Sequence, residues 1–401
     1  MTKERTALPH IYELDPLRTC TALGVVAVHV LAFTTFLNPG EIGNQIQNAV
    51  LVAFHFTREV FMFVTAFALV YVYSRRTIAP IQFWKKRALS VLFPYVVWSV
   101  VYVWASAPSA SPATFFQASV FAILTVNASY QLYYILLTLQ FYLFFPLFLP
   151  FIRSCARHHW ITLAISFTLQ VFLFALDYHT IQRSTSPFWQ RISVYQDRFF
   201  LLYQFYFILG GLSALYFTQF RAFLLRHGRS IVGVFLLALA GLWLHFVLQV
   251  RVYHESIGYA TSVLQPIMVL YSLAVICFAL WLASLWTQKR GPEQSPHGSR
   301  LWRMLADASF GVYLIHALIL TVLLRWVVPE LLTTWPGAVR VFLIWVITAG
   351  VSVGLSILLM HIPVVSRLVG RAAPLRKRHR EPATLAKSKK ELQSFSPPIQ
   401  N

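Results

Sequence analysis

The chain has 401 residues, of which 58% are hydrophobic and only 11% charged, with a formal net charge of +20. So little charge excludes a soluble globular protein, whose surface must carry far more. The alternative solvent is lipid, where a spanning helix needs roughly 20 mainly apolar residues. The composition therefore predicts an all-α polytopic membrane protein, a bundle of about ten transmembrane helices.

In chain order, a short segment 1–16 precedes apolar runs at 17–37, 48–73, 88–106, 131–152, 159–177, 198–218, 230–250, 263–286, 308–328 and 338–360. No small-residue cleavage site follows the first run, so it is kept as a helix and not read as a removable signal. Within 107–130 the apolar piece "ATFFQASVFAILTV" is too short to span and is expected to lie at the interface or to re-enter. The breakers "NPG" (38–40), "APSASP" (107–112) and "WPG" (335–337) fall between runs, where turns belong. The longest polar linker within the helical region is "GPEQSPHGS" (291–299). No tandem repeat of fixed period is visible. From Arg371 the sequence "RAAPLRKRHREPATLAKSKK" cannot bury a core and reads as disordered. The expected division is a cytoplasmic segment 1–16, a transmembrane domain 17–360 and a basic, largely disordered cytoplasmic tail 361–401.

Basic residues concentrate beside cytoplasmic helix ends. With the N-terminus inside, 26 of the 33 lysines and arginines fall in inner segments and six in outer ones, while Arg58 lies within a helix. The expectation is that both termini are cytoplasmic. The positive charge then faces anionic lipid and is not the footprint of a nucleic-acid binder. Cys20, Cys155 and Cys277 have no metal-like spacing and read as isolated helix residues without a disulfide.

Ionisable side chains in a bilayer core cost roughly 2.5–3.5 kcal/mol or more, so they face protein or a water-filled cavity. In "LRTCTALGVVAVH", Arg18 and His29 are eleven residues apart, three helical turns plus about 20°, on one face and about 16 Å apart along the axis. In "AFHFTREVFMF", His55, Arg58 and Glu59 stand at i, i+3 and i+4, a single face of one helix. His55 and His29 come at similar depth from the outer helix ends, so four ionisable groups are expected around one hydrated site. A buried Arg58–Glu59 pair that merely locks two helices is the bland alternative. No zinc-type spacing, Cys nucleophile beside a base, or phosphate loop is present. A histidine can act as general base on a hydroxyl, and an arginine can hold a phosphate or carboxylate or offset oxyanion charge. These parts suit acyl transfer to an alcohol, and they suit a proton-coupled transporter equally well.

Five stretches together resemble the integral-membrane acyltransferase 3 family. "LDPLRTCTALGVVAVH" matches its opening pattern of Asp15, Arg18 and then His29. "REVFMFVTAFALVY" is similar to its second-helix signature, with Thr65-Ala66-Phe67 in place of Ser-Gly-Phe. "FWKKRALSVLFPYVVWS" resembles the basic stretch opening the third helix, where Arg87 and Pro94 fit and Ser90 replaces a second arginine. "YQLYYILLTLQFYLFFPLF" is similar to the segment with Gln140, Phe141 and Tyr142, with Gln131 where many relatives carry His. "SFGVYLIH" (309–316) resembles the ninth-helix motif ending in Tyr313 and His316. The variants in the second and fourth stretches look like a Gram-positive branch linked to surface-polysaccharide modification or export.

The resemblance implies a multi-pass protein of the bacterial cell (inner) membrane that moves an acyl group from a cytoplasmic donor, acyl-CoA, to a hydroxyl of a surface glycan or lipid-linked sugar. It implies His29 as the base and Arg18 as the group that orients the donor or stabilises charge. Lys85, Lys86 and Arg87 would hold donor phosphates, Arg58 and Glu59 with His55 would position the acceptor or tune His29, and Asp15, Gln140, Tyr142, Tyr313 and His316 complete the candidate substrate contacts. No permanently bound cofactor and no metal is expected, the partners are acyl donor, glycan acceptor and membrane lipid, and nothing specifies an oligomeric state. A polysaccharide exporter or small-solute transporter, and an anchoring protein whose polar residues only join helices, are the rival readings. No repeated half or pair of broken helices points to a transporter.

Overall fold

The computed structural model describes residues 8–288, 296–331 and 335–370; the tail from Arg371 and most of the 291–299 linker lie outside the described residues. Among them, all regular structure is helical, as a bilayer requires of any backbone that is not a closed barrel. Helix α1 (Leu14–Phe33) ends where Thr34 bonds back to the Val30 carbonyl at 2.6 Å, just ahead of the Asn38-Pro39-Gly40 turn. The run expected as one helix from 48 to 73 is two: α2 (Glu41–Phe54) and α3 (Thr57–Tyr73). The ladder tightens at His55, whose N–H donates to the Val52 carbonyl, and restarts with Val60 donating to Phe56.

Helix α4 (Pro80–Arg87) begins on a proline, the residue best suited to a first helical position, and continues through a π-helical turn at Ala88–Leu92 into α5 (Phe93–Ser106). Helix α6 (Pro112–Thr125) is capped by Ser111 and has 14 residues, about 21 Å of rise against the roughly 30 Å of a hydrocarbon core. Helix α7 (Tyr133–Cys155) carries Pro146 and Pro150 and passes through a tight turn at Ala156–His158 into α8 (His159–Leu176). After the short α9 (Pro187–Ser193) come α10 (Gln204–Leu215) and α11 (Phe217–Arg226), with a bend of 97° between them. Then follow α12 (Gly228–Val247), the single turn α13 (Ile257–Ala260), α14 (Pro266–Gln288), α15 (Ser299–Val322), the single turn α16 (Val328–Leu331) and α17 (Gly337–His361).

All ten apolar runs fall largely on helix. Eight helices among the described residues are long and apolar enough to cross a membrane, or nine when the bent α10–α11 pair counts as one span. One of the eight, Tyr133–Ile181, contains 49 residues, roughly 74 Å of rise, and is the broken pair α7 and α8. Helix α15 starts at Ser299, nine residues before the apolar run, because Leu301, Trp302 and Met304 prolong the helix in a mixed sequence.

Helix α1 sits centrally, packed against α2, α3, α14, α15 and α17. Arg18 and Gly370 line one cavity, so both ends of the described chain lie on one side, called here the terminal face. The first ten residues of the expected tail are ordered: Val365–Val369 forms a 3-10 turn with Ser366 and Val369 buried, and Trp98 Nε1 donates to the Leu368 carbonyl at 3.0 Å. The three cysteines are free. Helices α3 and α10 approach backbone to backbone, so that a Cβ on Gly210 would stand 2.2 Å from the Phe63 carbonyl oxygen. Backbone cannot yield there as a side chain would. Gly210→Ala should therefore lower stability by about 1–3 kcal/mol, read as a lower melting temperature of the detergent-solubilised protein.

Candidate active site

A cavity of about 410 Å³ opens on the terminal face. Arg18 of α1, Arg87 of α4, Tyr142 of α7 and Asp307, Ser309 and Tyr313 of α15 line it. Arg87 closes α4, where its stem folds back one turn onto Phe83 and its guanidinium lies 5.4 Å from that ring and 5.1 Å from the ring of Tyr142. Tyr142 is in electrostatic reach of both arginines. Two guanidinium groups beside one acidic lining residue give the cavity a positive wall, suited to an anionic group.

The inner end of this cavity meets a stack of rings. Tyr313 donates from its hydroxyl to the Gln131 carbonyl and lies 6.1 Å, centroid to centroid, from His316. His316 stacks on His29 at 5.2 Å and 23°, and His29 meets Tyr130 at 4.5 Å. His316 is fully buried. Its Nδ1 faces the Val312 carbonyl at 3.2 Å; a carbonyl only accepts, so Nδ1 carries the proton and Nε2 presents a lone pair. No hydrogen-bond partner for that Nε2 occurs among the described residues. His29 is partly buried and does not line the cavity; Tyr313 and His316 stand between.

The third group is built around the α2–α3 break. His29 is in electrostatic reach of His55 and Arg58, so the polar residues of the first two apolar runs do converge. His55 ends α2 while Arg58 and Glu59 open α3, and all three are buried with Arg58 in electrostatic reach of the other two. Arg58 lies 5.9 Å from the ring of Tyr133 and 5.8 Å from that of Tyr203, and 3.9 Å from Asp197. Its ion pair is with Asp197, and Glu59 is in electrostatic reach of the same guanidinium. Burial pushes the Asp197 carboxyl up from its ordinary value, against the pull of Arg58 and Arg198. Among the described residues, Nδ1 of His55, Nη2 of Arg58 and both carboxylate oxygens of Glu59 are buried without a hydrogen-bond partner. Such groups are costly unless a polar ligand or water reaches them.

A family model described as an acyltransferase domain matches residues 11–361, most of the chain. The chain belongs to the acyltransferase 3 family. No curated protein and no solved structure matches it. It is accordingly an acyltransferase for groups other than aminoacyl groups, with several apolar helices of membrane-spanning length.

Within this acyltransferase the sequence-derived residues separate into those brought together and those that are not. Arg18, Arg87, Tyr142 and Tyr313 share the cavity, and His29 and His316 share the stack. His316 lies 17 residues, about 26 Å of rise, along α15 from its start at Ser299. Lys86 is exposed outside the cavity. Asp15 is held by His10 at 2.7 Å and does not line the cavity. Gln140 donates to the Arg198 carbonyl at 2.7 Å and accepts from the N–H of Phe200 at 3.3 Å, fastening the loop that carries Asp197. Sequence reasoning missed Asp197, Tyr130, Tyr133 and Tyr203. The signal available was "QDRFF", a charged pair at the head of an apolar run. Among the described residues, no group of three or more His, Cys, Asp or Glu side chains could hold a metal ion.

Asp197 is the counter-charge of a buried guanidinium. Asp197→Asn should cost about 1–3 kcal/mol, and adding Arg58→Met should cost less than the sum of the two single changes. Thermal unfolding of the four proteins in detergent measures both.

Proposed function

We propose that the protein transfers an acyl group from a cytoplasmic donor, acyl-CoA, to a hydroxyl of a cell-surface glycan or lipid-linked sugar, from the bacterial inner membrane with both termini cytoplasmic. The observation that carries this reading is the positive cavity of Arg18 and Arg87, whose inner end abuts the imidazole stack of His316 and His29. The density of basic residues on the terminal face supports that face as the cytoplasmic one.

In this reading the cavity takes the donor, with Arg18 and Arg87 holding its anionic groups. His29 removes the proton of the acceptor hydroxyl as its oxygen attacks the acyl carbon, the carbon–sulfur bond breaks, and the protonated imidazole returns that proton to the leaving sulfur to release the thiol. Arg58, caged by two tyrosines and Asp197, orients the acceptor. Because Tyr313 and His316 separate the cavity from His29, transfer requires their side chains to move aside. Family membership favours chemistry over transport alone, the main rival reading.

Replacing His29 by Ala in protein that remains folded should reduce transfer from a radiolabelled acyl-CoA to total surface glycan by about 10²–10⁴-fold, the usual worth of a general base. Undiminished transfer would reject His29 as the base. Glycan crossing vesicles of the wild-type protein without ever being acylated would favour an exporter. Arg18→Lys should reduce kcat/KM for the donor roughly tenfold, because an ammonium group cannot reproduce the guanidinium fork. Full activity of that variant in the same assay would remove Arg18 from donor binding.

A further inference from the structure

A second cavity, of about 570 Å³, opens on the flank of the bundle between α12 and α14, beside the end of α11. Its walls are apolar from Ile231 and Leu237 on α12 to Leu270 and Ala274 on α14. Leu237 and Leu270 remain largely exposed, as side chains facing lipid would be. At one end its polar side chains are His227 and Ser230, beside the exposed Arg226 and Arg229; the hydroxyl of Tyr271, on the α14 wall, is taken up by the Ala53 carbonyl at 2.8 Å. No acidic residue occurs anywhere in 217–252 or 266–288, so nothing in these helices opposes the basic cluster.

Depth fixes which part of a bilayer the groove would meet. Helix α11 is tied to the terminal face by Arg221, whose Nε donates to Glu13 at 2.8 Å. It turns 97° from α10, the attitude of a helix lying in the membrane interface. The basic end of the groove is therefore at headgroup level. From His227 to Gly241 the groove follows α12 for 14 residues, about 21 Å. Half of a bilayer, headgroups included, measures roughly 20–22 Å. A narrow apolar channel one leaflet long, with positive charge only at the headgroup end, has the dimensions and polarity of one phospholipid.

We infer that this groove binds an anionic phospholipid from the leaflet on the terminal face. Its acyl chain lies along α12 and α14, and its phosphate sits among Arg226, His227, Arg229 and Ser230. The inference needs only that these helices span a membrane and stands apart from the acyl-transfer reading.

The full chain, purified in detergent and titrated with phosphatidylglycerol or phosphatidylcholine, tests it by native mass spectrometry. The wild-type protein should retain phosphatidylglycerol in preference to phosphatidylcholine. Arg226→Gln and Arg229→Gln should each lower that preference about fivefold, the equivalent of ~1 kcal/mol per basic side chain near a lipid surface. Gly241→Phe should abolish retention, because a Cβ at Gly241 points into open space with nothing within 4 Å, while the lipid-free melting temperature stays near that of the wild type. If that variant does not fold, Ala238→Leu narrows the same channel. Equal retention of both lipids, or undiminished phosphatidylglycerol after the groove is filled, overturns the inference. So does a wild-type dimer that the filled groove dissociates, since a second chain and not a lipid would then be the occupant.

Discussion

A bilayer offers no water to a guanidinium or an imidazole in its interior, so each such group has to be held by other protein atoms or by an enclosed polar space. In this acyltransferase that requirement organises the middle of the bundle. Arg58 can be buried because two tyrosine rings and Asp197 surround it, and Asp197 can reach it because Gln140 pins the preceding turn of α10 to α7. Tyr203 is brought to Arg58 by the approach of α10 to α3, which is possible only because Gly210 has no side chain to set against the Phe63 carbonyl. One backbone contact thus fixes the distance between the arginine and half of its cage.

The helical class and the place of nearly every apolar run were legible in the sequence, because hydrophobic length is set by the bilayer and not by the details of packing. The convergence of His29 with His55 and Arg58 was legible too, since equal depth on neighbouring helices follows from rise per residue. What was not legible depended on tertiary partners. The break at His55 and Phe56 contains no proline or glycine, so nothing local announces it, and a continuous helix had to be assumed. Helix α15 continues down to Ser299 through residues that apolarity alone would leave outside. Asp197 lies far from Arg58 in the chain, and a loop carboxylate could have faced water as easily as a buried cation. The folded-back turn at Val365–Val369 was hidden by its resemblance to the basic tail that follows.

The ring stack also has a consequence for the membrane as an insulator. Tyr313, His316 and His29 follow one another inward from the arginine-lined cavity, and the hydroxyl of Tyr313 is tied to the Gln131 carbonyl. An ion in the arginine-lined chamber faces the ring of Tyr313 and not an open pore, whereas the imidazoles of His316 and His29 behind it are groups that can themselves take up a proton and hand it on.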